Sequence, residues 1–353
     1  MEKRRLFKLG KSSLVISLPK NWLTKHNLKG GDEVLIEEKE DGSLEIRPAA
    51  GFKLKASPLM INYGRKFHKG LLERLILSAY ITGRDPIIIE IDKEVLELVT
   101  DEINKVMRKA KELEIIRETS KKDKAKKLII ISSILKEDYY PIKSSVDRMV
   151  SLIQTMVRYL VLALEKGSSD YLIEIGYMEA EVDRVYLKLL KQLFWALKNS
   201  IIAREMGISN FSDLLLIRTL VQLMEITADL IAEISEFTLK VGIKTLIGKT
   251  EIKKAIDSLT KYHKAMEDLF FHTFASIDIV TINRILDELE KLRERCFLTS
   301  IQINDKDILV WFKEFSLRFS SMVDFLKVIA ELILDQMIER LGKKVSIGEK
   351  REK

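Results

Sequence analysis

Lys8-Leu9-Gly10-Lys11-Ser12-Ser13-Leu14-Val15-Ile16-Ser17-Leu18-Pro19-Lys20 is the stretch on which the reading of this chain turns. Two short apolar runs flank a Gly-Lys-Ser-Ser turn, and Pro19 stops the second run. The pattern predicts strands at Arg5 to Lys8 and Leu14 to Leu18, then a helix from Pro19 to Asn27 with Gly30 or Gly31 at its end. A hairpin follows: Val34 and Ile36 alternate with polar residues, Leu44 and Ile46 do likewise, and Asp41-Gly42 between them is a type I′ turn signal. Residues 1–50 hold too few apolar side chains to close a core alone, since chains of this size bury only about 60% of their surface. A partner has to complete it.

Positive charge gathers in the same segment. The 353 residues carry 60 Lys and Arg against 53 Asp and Glu, a net +7, and the first 29 residues hold eight basic side chains against the single acid Glu2. With 46% apolar and 32% charged residues the chain reads as a soluble protein of several domains. The lone Cys296 excludes an intrachain disulfide framework and a Cys-rich zinc module, and so points to a reducing compartment. No apolar run approaches the roughly 18 residues that span a bilayer, and Met1-Glu2-Lys3-Arg4-Arg5 leads into polar sequence. The expectation is a cytoplasmic protein with no membrane insertion.

The quoted stretch, with Leu28-Lys29-Gly30-Gly31-Asp32-Glu33-Val34, resembles the SpoVT-AbrB swapped-hairpin module of bacterial transition-state regulators and MazE-type antitoxins. That resemblance implies two interleaved chains forming one β-barrel that binds double-stranded DNA, with Arg4, Arg5, Lys8, Lys11, Ser12 and Ser13 at the DNA-binding positions. Ser17 departs from the MazE-type pattern, which has a basic residue near the end of that strand. Physical chemistry agrees: cations neutralise phosphates and release counterions, while hydroxyls and turn N–H groups can hydrogen-bond phosphate oxygens. The competing reading is a solvated, Lys-rich edge that guards a strand. Gly10-Lys11-Ser12 is not the end of a phosphate-binding P-loop, because Arg5 stands where the first Gly is needed.

Over residues 51–138 the pattern is that of a small α/β connector. A helix is expected from Arg65 to Ile81, a strand at Ile87 to Ile91, a long helix from Lys93 to Leu113, and β-rich runs at Glu114 to Glu118 and Leu128 to Ile134. The charge run Lys121 to Lys127 reads as a solvated hairpin edge.

All five prolines lie within the first 141 residues, and the remaining 212 have none. Uninterrupted helices are expected, near 142–166, 169–200, 211–241, 249–276, 278–302 and 305–341. The third and sixth repeat each other at an offset of 95 residues: Leu220 pairs with Phe315, Met224 with Phe319, Asp229 with Asp324, Ile231 with Leu326 and Ile234 with Ile329. A duplicated three-helix unit accounts for this, giving three-helix bundles at 139–247 and 248–345. The chain is therefore multi-domain and mainly α.

Two carboxylate pairs at i, i+4 lie in the first bundle. Glu179 stacks over Asp183 in a largely apolar row, where like charges repel unless a cation lies between them. Glu225 stacks over Asp229 in a row that is polar along its length, so an ordinary wet face accounts for that pair equally well. Oxygen-only donors suit hard cations such as Mg²⁺, Mn²⁺, Ca²⁺ or Fe³⁺.

Glu179-Ala-Glu-Val-Asp183-Arg184 and Glu225-Ile-Thr-Ala-Asp229 resemble the acidic E(D)-x-x-x-D motif of the PhoU family of phosphate-uptake regulators, over about residues 140–340. The resemblance implies metal at Glu179, Asp183, Glu225 and Asp229. In the second bundle Asp324 keeps one motif position, while Ser320 replaces the first acid and Asn283 stands before Asp287 where a Glu is expected. The whole arrangement resembles an archaeal PhoU-like regulator with an N-terminal swapped-hairpin domain. It implies a homodimeric transcriptional regulator of phosphate uptake or, alternatively, an adaptor that modulates a phosphate transporter or sensor without touching DNA.

An enzyme is not expected. His26, His68, His263 and His272 form no His-Glu-x-x-His motif, there is no Gly-x-Ser-x-Gly elbow, and no nucleotide or organic cofactor signature is present.

Overall fold

The computed structural model describes residues 2–38, 42–49, 56–120, 126–134, 141–208, 210–271, 279–301 and 303–341. It falls into two units, Met1–Ala56 and Ser57–Lys353.

In the first unit β1 (Phe7–Leu9) pairs antiparallel with β2 (Ser13–Val15) around a turn at residues 10–12. Gly10 enters that turn at φ +71°, which a side chain would resist. Both strands are shorter than the periodicity suggests: Arg5 precedes β1, and Ile16 to Leu18 follow β2. Helix α1 (Lys20–Lys25) starts directly after Pro19. The hairpin of β3 (Val34–Glu38) and β4 (Leu44–Pro48) has Ile36 opposite Ile46 and Glu38 opposite Leu44. Arg47 pins it with ion pairs to Glu37 (2.9 Å) and Glu45 (2.7 Å). Asp41, one half of the expected turn signal, lies outside the described residues.

No described residue of this unit is buried. Leu9, Leu14, Ile36 and Leu44 are all well exposed, Ile36 at 62% and Leu44 at 64%. The hairpin alternation makes an apolar face on which Val34 and Ile46 are half-buried while Ile36 and Leu44 stay exposed among the described residues.

The second unit opens with β5 (Ser57–Tyr63), a strand the sequence pattern does not announce, since Pro58, Asn62 and Gly64 break its signal. Helix α2 (Leu71–Ile81) begins later than Arg65 because Gly70 takes the left-handed conformation at φ +75°. Then come β6 (Arg84–Asp92), α3 (Leu96–Lys109), β7 (Leu113–Ser120) and β8 (Lys126–Ser133). The sheet order is β5-β6-β8-β7, parallel only between β5 and β6. The expected helix from Lys93 to Leu113 is a short 3-10 turn plus α3, and Leu113 already belongs to β7.

Ile87, Ile89 and Ile91 alternate into a core with Leu72, Ile76, Val99, Ile103, Val106 and Ile131. Glu102 is 5% exposed, and its carboxylate accepts backbone N–H bonds from Gly70 (2.5 Å), Leu72 (3.0 Å) and Glu73 (3.3 Å) at the start of α2. Of the charge run, Lys121 to Ala125 lie outside the described residues. Lys126 pairs with Glu90 at 2.9 Å and Lys127 with Glu118.

Among the described residues the helical region follows its periodicity closely: α4 (Ile142–Lys166), α5 (Asp170–Lys198), α7 (Phe211–Val241), α8 (Thr250–Phe271), α9 (Ile279–Ile301) and α10 (Lys306–Leu341); residues 272–278 and 302, parts of the expected 249–276 and 278–302 helices, lie outside the described residues. The expected 169–200 helix breaks at Asn199, whose side chain caps a separate short α6 (Ser200–Glu205) by accepting from the Ile201 N–H at 2.9 Å. Helices α4, α5 and α7 pack as one bundle and α8, α9 and α10 as another, joined along α4–α8 and α7–α10.

The repeat is also visible in burial: Leu220 and Phe315, Met224 and Phe319, Ile231 and Leu326, and Ile234 and Ile329 are all buried. Trp311, Phe315 and Phe319 stack along α10, and the Trp311 Nε1–H donates to Thr238 Oγ1 at 3.0 Å.

Lys191 of α5 anchors the connector to the first bundle. Its side chain is 7% exposed, its Nζ lies 3.2 Å from Glu112, and the rings of Tyr80 and Trp195 face it at 4.5 and 5.0 Å. Beside it Gly83, at φ +73°, packs so close to Trp195 that a Cβ would fall 2.4 Å from the indole nitrogen.

Candidate functional site

Helices α5 and α7 each present their i, i+4 acids to the other, so the two pairs become one cluster. Carboxylate oxygens of Glu179, Asp183 and Asp229 all lie within 4.8 Å of one another. All three side chains are half-buried.

Burial raises the proton affinity of every acid here, and for Glu179, Asp229 and Glu225 neighbouring carboxylates raise it further. Glu179 is raised first by burial, then by Asp183 and Asp229. Burial raises Asp183 against the pull of Lys109, and Asp229 is raised by burial and by Asp183. Glu225 stands within the same field, and burial followed by Asp229, Asp183 and Glu179 pushes it up to about 7. Its Oε2 accepts from Gln222 Nε2 at 3.1 Å, and Gln222 Oε1 in turn accepts from Tyr186 at 2.5 Å and Arg218 at 3.0 Å.

Lys109, the last residue of α3, places its Nζ 3.7 Å from Asp183 and 3.8 Å from Glu73. No periodicity or spacing in the helical region could have named it, because it comes from the connector.

The donor set suits a hard cation: the donors are all oxygen, on two rigid helices, with more negative charge than one ammonium balances. Glu179, Asp183 and Asp229 would hold such an ion, with Glu225 beside them, and it would supply the charge balance that the raised proton affinities show to be lacking. Glu233, in the same polar row, turns instead to Arg318 of α10 at 2.8 Å. Among the described residues Asp324 joins no such cluster: it pairs with Arg293 at 3.5 Å, and Asp287 accepts from Asn283 at 3.5 Å. Among the described residues Glu179, Asp183 and Asp229 are the acids that meet at ligating distance, and no His joins them.

In the first unit Arg4, Arg5, Lys8, Lys11, Ser12 and Ser13 are all exposed. Lys11 and Ser12 sit in the β1–β2 turn, Ser13 opens β2, and Lys8 lies opposite Leu14 in the ladder. Arg4 is partly engaged by Glu2 at 2.6 Å.

Residues 8–53 match the family model for antidote-toxin recognition MazE, bacterial antitoxin, and residues 146–238 match the PhoU domain. The chain joins a MazE/AbrB-like domain to a PhoU domain. Comparison with curated proteins and with solved structures finds no match. The PhoU match runs from α4 to α7 and contains all four clustered acids; Asp324 lies beyond it. The MazE-like domain points to DNA binding and the PhoU domain to phosphate regulation, and both families are regulatory rather than enzymatic. Among the described residues no helix is long and apolar enough to cross a membrane.

Proposed function

We propose that the chain is a cytoplasmic, homodimeric, DNA-binding transcriptional regulator of phosphate uptake. Its PhoU domain responds to phosphate status through a metal ion at Glu179, Asp183, Asp229 and Glu225 or through a partner protein. One observation carries the reading: a unit that matches a MazE-type model exposes its basic turn together with apolar side chains of its hairpin, and buries none of its described residues. A second copy of the same unit supplies the missing side of the core, and the basic residues of both copies then reach one duplex.

Electrophoretic mobility shift with the upstream region of the protein's own gene tests this. If each protomer supplies about three to five phosphate contacts, log K should fall with log salt at a slope of about −5 to −9. Replacing Arg5, Lys8 and Lys11 by Ala should flatten the slope while leaving the helical content intact. Unchanged binding would reject the site.

A second reading rests on the PhoU domain, where Ile173 and Tyr177, one turn apart on α5, are 50% and 68% exposed. Such a face suits an adaptor that docks on a phosphate transporter or sensor. Absence of any shift, with retained capture of such a component, would favour it.

A further inference from the structure

Helix α5 serves two neighbours, and one of its residues serves both. Glu179 and Asp183 meet Asp229 of α7, whereas Asp183, Leu187, Lys191 and Trp195, successive i, i+4 positions, form a stripe that runs along the connector. Each member of that stripe has its own partner there. Lys109 lies 3.7 Å from Asp183, Leu187 is buried in the connector's apolar core, Lys191 takes Glu112 at 3.2 Å, and Trp195 packs on Gly83. Lys198, three residues on, donates to the Thr82 carbonyl at 2.8 Å. Asp183 is thus both a candidate metal ligand and the first anchor of the connector on α5.

The anchors differ in strength. Leu187 and Lys191 are buried, but the Lys109 side chain is 44% exposed, and its Nζ stands almost equally far from Asp183 and from Glu73 of α2, at 3.7 and 3.8 Å. A pair this exposed and this long is weak. A divalent ion sits about 2–2.6 Å from its carboxylate oxygens and carries twice the charge, so Asp183 favours it over an ammonium shared between two acids. Glu73 keeps a partner for Lys109 inside the connector, so leaving Asp183 does not strand the charge. Among the described residues Lys109 is the one cation that pairs with an acid of the cluster; Arg184, beside Asp183 in sequence, is held by Glu181 at 2.8 Å.

We propose that Lys109 is a tether that metal binding releases. With a divalent cation among Glu179, Asp183 and Asp229, Asp183 turns to the ion, Lys109 falls back on Glu73, and the end of α3 loosens from α5 while Leu187 and Lys191 hold the remaining contacts. The inference rests on the metal-binding reading above and adds its regulation: occupancy of the acids is passed to the connector, which follows the MazE-like domain in the sequence.

Acetylation of lysine amines in the full-length, chelator-treated protein, read by mass spectrometry with and without Mn²⁺, tests this, beside calorimetry that registers Mn²⁺ binding itself. Lys109 should be acetylated about two- to fivefold faster with Mn²⁺, the factor a half-exposed ion pair represents, with neighbouring Lys111 unchanged and faster amide exchange at Lys109 and Ala110. Asp183→Asn should give the faster acetylation without metal and no further change on adding it. Mn²⁺ binding with Lys109 unchanged or protected overturns the tether and leaves the metal reading standing. An unaltered Lys109 rate in Asp183→Asn also overturns it, and absence of Mn²⁺ binding overturns both.

Discussion

Glu102 Oε1 accepts the Gly70 N–H at 2.5 Å, so a buried carboxylate on α3 closes the N-terminus of α2 from across the connector. Asx and Ser caps are usually local; this one joins two helices that are separate in sequence. Replacing Glu102 by Ala leaves three backbone donors at a buried helix end and should cost about 2–4 kcal/mol. Urea unfolding, with hydrogen exchange at the Gly70, Leu72 and Glu73 amides, measures it. Exchange at those amides should quicken first.

The acid cluster sets a pH dependence. Glu225 is pushed up to about 7 by burial and its neighbours, so the folded chain holds a proton that the unfolded chain has already released. The stability from that proton is complete below the ordinary Glu value and is lost as pH rises through about 7. Chelator-treated protein should melt at progressively lower temperature between about pH 5 and about pH 8, and a divalent cation should flatten that slope. Thermal melts at constant ionic strength decide it.

Neutralising part of the cluster should empty it. Glu225→Gln with Asp229→Asn removes two of the four neighbouring carboxyl groups, and elemental analysis should find the metal content of the purified protein much reduced. Asp324→Asn should leave the metal content unchanged, because Asp324 faces Arg293 rather than other acids. Equal metal in all three proteins would remove the α5–α7 pairs as ligands.

Lys109 competes with any cation for Asp183. Replacing it by Met should tighten metal binding, by at most about fivefold, since a half-exposed ion pair is worth no more than about 1 kcal/mol. Titration calorimetry with Mn²⁺ reads the change directly. Weaker binding would mean that Lys109 orders the acids instead of opposing them.

Ile36, opposite Ile46 on the apolar hairpin face, tests self-association. If two copies pair through this hairpin and bind DNA as proposed, Ile36→Glu should sediment as a monomer and give no DNA shift, with the helical signal of the second unit retained.

The helices were legible because their apolar spacing is long and unbroken: Ile142–Lys166 and Phe211–Val241 lie where the periodicity puts them. Shorter elements were less so. The strand Ser57–Tyr63 carries Pro58 and Asn62, and the start of α2 is set by the conformation of Gly70 and by Glu102, a tertiary contact that no local rule contains. The acids of the site were visible in their i, i+4 spacing, but their convergence depends on how α5 faces α7, which spacing on either helix alone leaves open. Lys109 depends on docking the connector against the bundle, and only the three-dimensional packing brings it into view.

Lys109 belongs to two neighbourhoods, 3.7 Å from Asp183 of the first bundle and 3.8 Å from Glu73 of the connector. One ammonium thus stands between a helix of the acid site and a helix of the sheet, so the charge carried by the acids is felt at the seam where connector and bundle meet.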